Sequence, residues 1–148
     1  MSSHILIIKL GALGDIVQAL GPMEAIRKYH AGDRITLLTT APFTKFTMAS
    51  GLIDEVWTDS RPSFFQFRAW LSLRRFLRRG RFRRVYDLQT SGRTGWYFRL
   101  LGPGVRPEWS GIAAGCSHPH ANPFRNNMHT IDRQREQLAA AGIREVPD

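Results

Sequence analysis

A chain of 148 residues, 43% of them hydrophobic, is long enough for one domain with a real core; chains of about this size remove roughly 68–70% of their unfolded surface from water. Lys and Arg number 21 against 12 Asp and Glu, a net charge of +9, and the excess is mostly arginine between Arg61 and Arg99, which favours nucleic acid, phosphorylated glycolipid, anionic membrane or phosphate-bearing metabolites as partners. No window approaches the ~18 to 20 unbroken apolar residues of a membrane span, the N-terminus lacks a signal peptide's basic leader and cleavage site, and the lone Cys116 excludes an intrachain disulfide and makes a poor metal site with scattered histidines, so a cytoplasmic protein with a structural cysteine is expected.

Residues His4 to Leu10 form an Ile/Leu run with no polar alternation before Lys9, the pattern of a strand buried on both faces of a parallel sheet. A glycine-containing loop, KLGALGD, follows. Ile16, Leu20, Met23, Ile26 and Arg27 then recur at helical spacing, with a kink expected at Gly21-Pro22 where proline removes a backbone donor. Ala31-Gly32-Asp33 ends that helix, RITLLTT reads as the second strand, TKFTMASGLID as a short helix closed at Gly51, and DEVWTDS as the third strand.

FFQFRAWLSLRRFLRRGRF places Phe64, Phe67, Trp70, Leu71, Leu73, Phe76 and Leu77 at intervals of three and four with arginines between them, which predicts a long amphipathic helix ending near Gly80. VYDLQT reads as a fourth strand and TGWYFRLLG as a helix closed at Gly102. Residues Pro103 to Asn127, rich in Pro, Gly and Asn, predict loop with a short strand around Trp109 to Ile112. HTIDRQREQLAAAGI gives a final helix stopped at Gly142. Strands alternating with helices imply a doubly wound, mainly parallel α/β sheet, occupying residues 1–148 as a single Rossmann-like domain.

In such a sheet ligands bind outside the carboxyl ends of the strands, where Gly11 to Asp15 fall. The loop is neither G-x-x-x-x-G-K-[ST] nor a complete G-x-G-x-x-G. An acid at its mouth repels a pyrophosphate. Asp15 is therefore better suited to act as a base than to sit in a phosphate cradle; the structural alternative is a helix cap in a strand-to-helix turn.

These residues resemble a known family. The pattern of strand, K-x-G-x-x-G-D, apolar helix with internal proline, then R-I-T-L-L-T is similar to the N-terminal domain of the ADP-heptose:lipopolysaccharide heptosyltransferases, the family 9 glycosyltransferases. Lys9, Gly11, Gly14, Asp15, Pro22 and Ile35 to Thr40 carry the match. YDLQTSGRTGWYFRLLG (Tyr86 to Gly102) resembles a second family signature, departing from it in length and in Thr90-Ser91-Gly92. HTIDRQREQLAAAGI (His129 to Ile143) is similar to the H-x-x-x-R-x-x-x-x-L-x-x-x-G-I helix that ends that domain.

The resemblance implies the N-terminal half of a GT-B glycosyltransferase: two Rossmann-like domains across a cleft, with acceptor contacts in the first and the sugar nucleotide held mainly by the second. It implies inverting transfer of heptose, or a related sugar, from an ADP-heptose-type donor to an anionic lipopolysaccharide core or lipid A acceptor. Asp15 is then the general base, a role typically worth 10² to 10⁴ in rate. No cofactor and no metal are implied, the diphosphate being held by helix N-termini and basic side chains. A chain ending at Asp148, about where the family's linker begins, is expected to be inactive without a second domain.

Substrate-binding positions on this reading are Lys9, Gly11, Ala12, Gly14, Arg93 and His129. Lys9 pairs with Asp15 or faces the acceptor, or else snorkels from the sheet. Arg93 grips an acceptor phosphate or carboxylate, or is an exposed residue at a helix start. His129 contacts the acceptor or only opens its helix. The run Arg74 to Arg84 is either a solvated helix face or a patch attracted to an anionic inner leaflet at about 1 kcal/mol per basic residue. With the phenylalanines facing the core, adsorption rather than insertion is expected.

Two other classes compete. A nucleic-acid-binding module would explain the charge, but no helix-turn-helix, RRM or KH signature is present, so nucleic acid is not the expected partner. A Rossmann-like nucleotide-binding domain without transferase activity is the third reading.

Overall fold

In the computed structural model, which describes residues 3–63, 65–102 and 106–147, the Ile/Leu run forms β1 (His4–Ile8), buried from its second residue onward. Strands β2 (Arg34–Thr39), β3 (Glu55–Thr58), β4 (Arg84–Asp87), β5 (Glu108–Gly111) and β6 (His118–Pro119) complete a sheet of order β3-β2-β1-β4-β5-β6. Every pairing is parallel. The chain runs outward from β1 to β3, then returns to add β4 on the other side of β1. The switch point of this doubly wound sheet therefore lies between β1 and β4.

Because side chains alternate across a strand, β1 feeds two cores. Ile5 and Ile7 pack with Met23, Ile26, Ile35, Leu37 and Leu138 on one face. Leu6 and Ile8 pack with Leu73, Leu77, Tyr97, Phe98 and Trp109 on the other. The covering helices are α1 (Leu13–Gln18), α2 (Leu20–Tyr29), α3 (Thr44–Ala49), α4 (Phe67–Arg79), α5 (Gly92–Leu100) and α6 (Thr130–Ala140).

The helix after the glycine loop breaks at Ala19, earlier than the expected kink at Gly21-Pro22. Pro22 has no N–H to give the carbonyl of Gln18, four residues back, so the interruption falls one turn ahead of the proline. Pro22 itself sits in the first turn of α2, where no intrahelical donor is needed. Gly142 adopts φ +97 just past α6, as a helix stop requires. The fifth strand begins and ends one residue earlier than Trp109 to Ile112. The two-residue β6 went unseen because His118-Pro119 has no hydrophobic run to announce it. Cys116 is buried, and burial pushes its thiol up.

The expectation that the phenylalanines of the fourth helical segment face the core needs correction. Phe76 and Phe82 do pack inward, but Phe67 is 72% exposed and Phe65, one turn ahead of α4, is 88% exposed. The buried stripe of α4 is Leu73 and Leu77, further along the helix than Phe67, which is its first residue. Phe64 and residues 103–105, also placed in the sequence reading, lie outside the described residues.

Polar ties fix the ends of the sheet opposite the glycine loop. Arg84 is buried: its Nε donates to Glu108 at 2.6 Å, and one Nη donates to the Tyr86 hydroxyl at 3.1 Å and the Ala141 carbonyl at 2.8 Å. His30 bridges the Tyr86 hydroxyl (2.7 Å) and Asp33 (3.0 Å). Burial holds His30 below its ordinary pKa, opposed by its bond to Asp33.

Candidate functional site

The carboxyl ends of β1 and β4 meet at the switch point, and Lys9, directly after β1, lies there only 4% exposed. Its ammonium donates to the Leu88 carbonyl at 3.3 Å, so the lysine is not snorkelling to solvent. Burial pulls its pKa down, the carboxylates of Asp15 and Asp87 push it back up, and Arg133 adds to the lowering. Two acids and one arginine therefore share the field of a single buried ammonium.

The loop beyond Lys9 is tied on both sides. The Leu10 amide donates to the Gln89 side chain at 3.0 Å and the Thr40 hydroxyl donates to the Leu10 carbonyl at 2.6 Å. Gly11 takes φ +146, and a Cβ there would stand 2.8 Å from the Phe43 ring. Only glycine passes this point without displacing the ring. Gly14 faces open space, leaving room beside α1 for a ligand.

Asp15 occupies the first turn of α1, half-buried, and its Oδ2 accepts the Ala12 N–H at 3.2 Å. One side-chain oxygen therefore serves the helix start, and no ion pair engages the carboxylate among the described residues. Ala12 is exposed and contributes its backbone amide. The structural and functional readings of Asp15 are thus compatible: the cap fixes the carboxylate's direction while leaving it accessible at the rim.

Asp87 ends β4 with no exposure. Its Oδ1 accepts from the Gln89 and Thr90 amides at 3.1 and 2.9 Å, while Oδ2 has no partner among the described residues. Burial pushes its pKa up to about 6 against the lowering pull of Thr94, those two amides and Lys9. From α6, Gln137 donates to the Asp87 carbonyl at 2.9 Å, whereas both polar atoms of the buried Gln134 find no partner among the described residues.

Arg125 donates its Nε to His120 at 3.1 Å, and its buried Nη2 is without a partner among the described residues. Burial lowers its pKa, repulsion from Arg133 lowers it further, and Asp87 opposes both. The rim thus gathers Lys9, Arg125 and Arg133 around Asp15 and Asp87. Sequence reasoning missed Arg125, which lies in a segment read only as loop. Arg133 was visible as the arginine of the H-x-x-x-R pattern but was not selected.

Two selected residues have local occupations. Arg93 donates to the Pro62 carbonyl at 3.1 Å and lies 5.8 Å over the Trp70 ring, at the start of α5. His129 caps α6, its Nδ1 accepting the Ile131 amide at 3.3 Å. Among the described residues no group of three or more His, Cys, Asp or Glu is arranged to hold a metal ion.

No protein-family model matches the sequence, and no curated protein is significantly similar to it. Solved structures are similar in fold. The glycosyl transferase family 9 structure from Veillonella parvula DSM 2008 matches 97% of this chain and 43% of its own at TM-score 0.76 and 18% identity. E. coli heptosyltransferase WaaC with ADP-2-deoxy-2-fluoro heptose matches 97% and 50% at TM-score 0.70 and 16% identity. E. coli ADP-heptose lps heptosyltransferase II matches 84% and 36% at TM-score 0.66 and 16% identity. The chain spans half or less of the length of each of these proteins. Its parallel sheet, with the K-x-G-x-x-G-D loop at the switch point, is accordingly the fold of part of the family 9 glycosyltransferase structures, in keeping with the resemblance that loop carries.

Proposed function

We propose that this chain is the acceptor-side domain, spanning residues 1–148, of an inverting glycosyltransferase that moves heptose or a related sugar from an ADP-heptose-type donor to an anionic glycolipid. The observation that carries the reading is the Asp15 carboxylate, accessible at the switch-point rim and unpaired by any cation among the described residues, on a fold shared with heptosyltransferase structures holding ADP or an ADP-heptose analogue. A base so placed takes the proton from the acceptor hydroxyl as it attacks the anomeric carbon and the C–O bond to the nucleoside diphosphate breaks.

Lys9, Arg125 and Arg133 supply positive charge for an acceptor phosphate or carboxylate, and the unpartnered Arg125 Nη2 gives it a donor. Gly11 and Gly14 keep the floor of the site free of side chains, and Ala12 orients Asp15. Arg93 and His129 remain candidate acceptor contacts from the starts of α5 and α6. The departing diphosphate belongs mainly to a second domain, so this chain alone is expected to be inactive. The reaction is placed in the cytoplasm, where nucleotide sugars are made.

Binding measurements on this chain test the reading. Calorimetry against a Kdo-containing lipid A, ADP-heptose and duplex DNA should give the glycolipid the highest affinity. Preference for the nucleotide would favour a non-catalytic nucleotide-binding domain, and DNA binding that survives moderate salt would favour a nucleic-acid module.

A further inference from the structure

Between Ser60 and Pro107 the chain carries twelve arginines and one acid, Asp87. Since Asp87 is fully buried, that segment presents no carboxylate to solvent, and the remaining residues of the chain hold nine basic and eleven acidic side chains. The entire positive excess therefore resides here. Only Arg83 and Arg84 of the twelve form ion pairs with carboxylates among the described residues.

At the centre of this basic segment lies an apolar surface built by α4, α5 and the turn before α4. Phe65 is 88% exposed, Phe67 72%, Trp96 51% and Leu71 50%. Phe67, Trp70, Trp96 and Leu100 line a shallow cavity of about 240 Å³. Arginines hold to the patch rather than to acids: Arg99 stacks over Trp96 at 5.0 Å, and Arg74 donates to the Leu100 carbonyl at 3.1 Å.

The geometry points to this face as an interfacial membrane-docking surface that inserts Phe65, Phe67 and Trp96 into the headgroup region of an anionic bilayer, with the surrounding arginines on lipid phosphates. Exposed aromatics amid cations are the composition of a surface lying in the membrane interface. Apolar burial and attraction to anionic lipid act together there. A second copy of this chain fits poorly, because like-charged arginines would confront one another. Bases stacking on the rings of a single-stranded nucleic acid fit less well than hydrocarbon, because Leu71 and Leu100 offer no ring to stack on. No helix among the described residues is long and apolar enough to cross a membrane, so attachment here is peripheral. The inference is independent of the catalytic reading of Asp15.

Co-sedimentation with phosphatidylcholine vesicles, with and without about one-third phosphatidylglycerol, tests the surface. The chain should bind the anionic vesicles at least about tenfold more tightly than neutral ones. Phe65→Ser/Phe67→Ser should lower anionic-vesicle binding about tenfold or more at unchanged thermal midpoint, both rings being exposed and outside the core. Vesicles with brominated acyl chains should quench tryptophan fluorescence, and Trp96→Phe should remove most of that quenching. Failure to bind anionic vesicles would overturn the inference. So would full binding by the double variant, which would reduce the contact to electrostatic adsorption. Tighter binding to oligo-dT than to vesicles, or a dimer abolished by the double variant, would assign the face to another partner.

Discussion

The ammonium of Lys9 donates to the carbonyl of Leu88 at 3.3 Å, joining the end of β1 to the residue after β4 across the switch point. A buried lysine is costly to keep charged, and desolvation is the largest influence on it. Lys9→Met retains the length of the side chain and removes that cost. The variant is expected to melt at or above the parent temperature while losing about tenfold in affinity for the anionic glycolipid, about 1.4 kcal/mol. Calorimetric melting and titration read the two effects separately. A lower melting temperature with unchanged affinity would make Lys9 a purely structural residue.

Asp15→Asn probes the proposed base. The asparagine Oδ1 still accepts the Ala12 amide, as the carboxylate does at 3.2 Å, so the start of α1 and the fold survive. The proton acceptor does not. In a chain joining this domain to its sugar-nucleotide half, turnover should fall at least about a hundredfold with little change in acceptor affinity. Near-normal turnover would remove Asp15 from the mechanism.

The hydrophobic runs of β1, β2 and β4 and the glycines after the helices made the alternation of strands and helices readable, because those strands are buried on both faces. The K-x-G-x-x-G-D loop was readable in part because Asp15 reaches back to the nearby Ala12 amide, a local constraint, whereas the Phe43 ring that excludes a side chain at Gly11 comes from the turn after β2 and is not visible from the motif itself. Arg125 and Gln134 were not readable, because what marks them is buried polar atoms without partners among the described residues, Nη2 of Arg125 and both polar atoms of Gln134, a long-range outcome of how α6 and the preceding turn dock on the sheet. The outward turn of Phe67 was missed because three-and-four spacing marks a stripe but not where along a helix the core ends.

Arg84 holds the amino ends of the sheet together, and replacing it tests that. Arg84→Met strands the buried Ala141 carbonyl, which now receives a 2.8 Å bond, and leaves Glu108 without its partner. Because Glu108 is part-exposed, the loss is expected at about 2–3 kcal/mol, below the range for a fully buried pair. Urea denaturation measures it. Arg84→Lys should recover little, since one ammonium does not span Glu108, Tyr86 and Ala141 together.

Asp87 sets a pH dependence whose sign is opposite to the usual one for a carboxylate. Its pKa is pushed up to about 6 by burial, so between about pH 4 and pH 6 the unfolded chain releases a proton that the fold retains. Stability therefore falls as pH rises through that window, by about 1.4 kcal/mol per unit at most and about 3 kcal/mol in all. Asp87→Asn removes the cost while its Oδ1 keeps the Gln89 and Thr90 amides. The variant should match the parent near pH 4 and exceed it increasingly up to pH 7, in urea midpoints taken at each pH. Asp33, Asp54 and Glu108, whose pKa values are lowered, are the same in both proteins and cancel in the difference. A gap between the two proteins that does not change with pH would show that Asp87 is already ionised throughout, its charge balanced by Lys9.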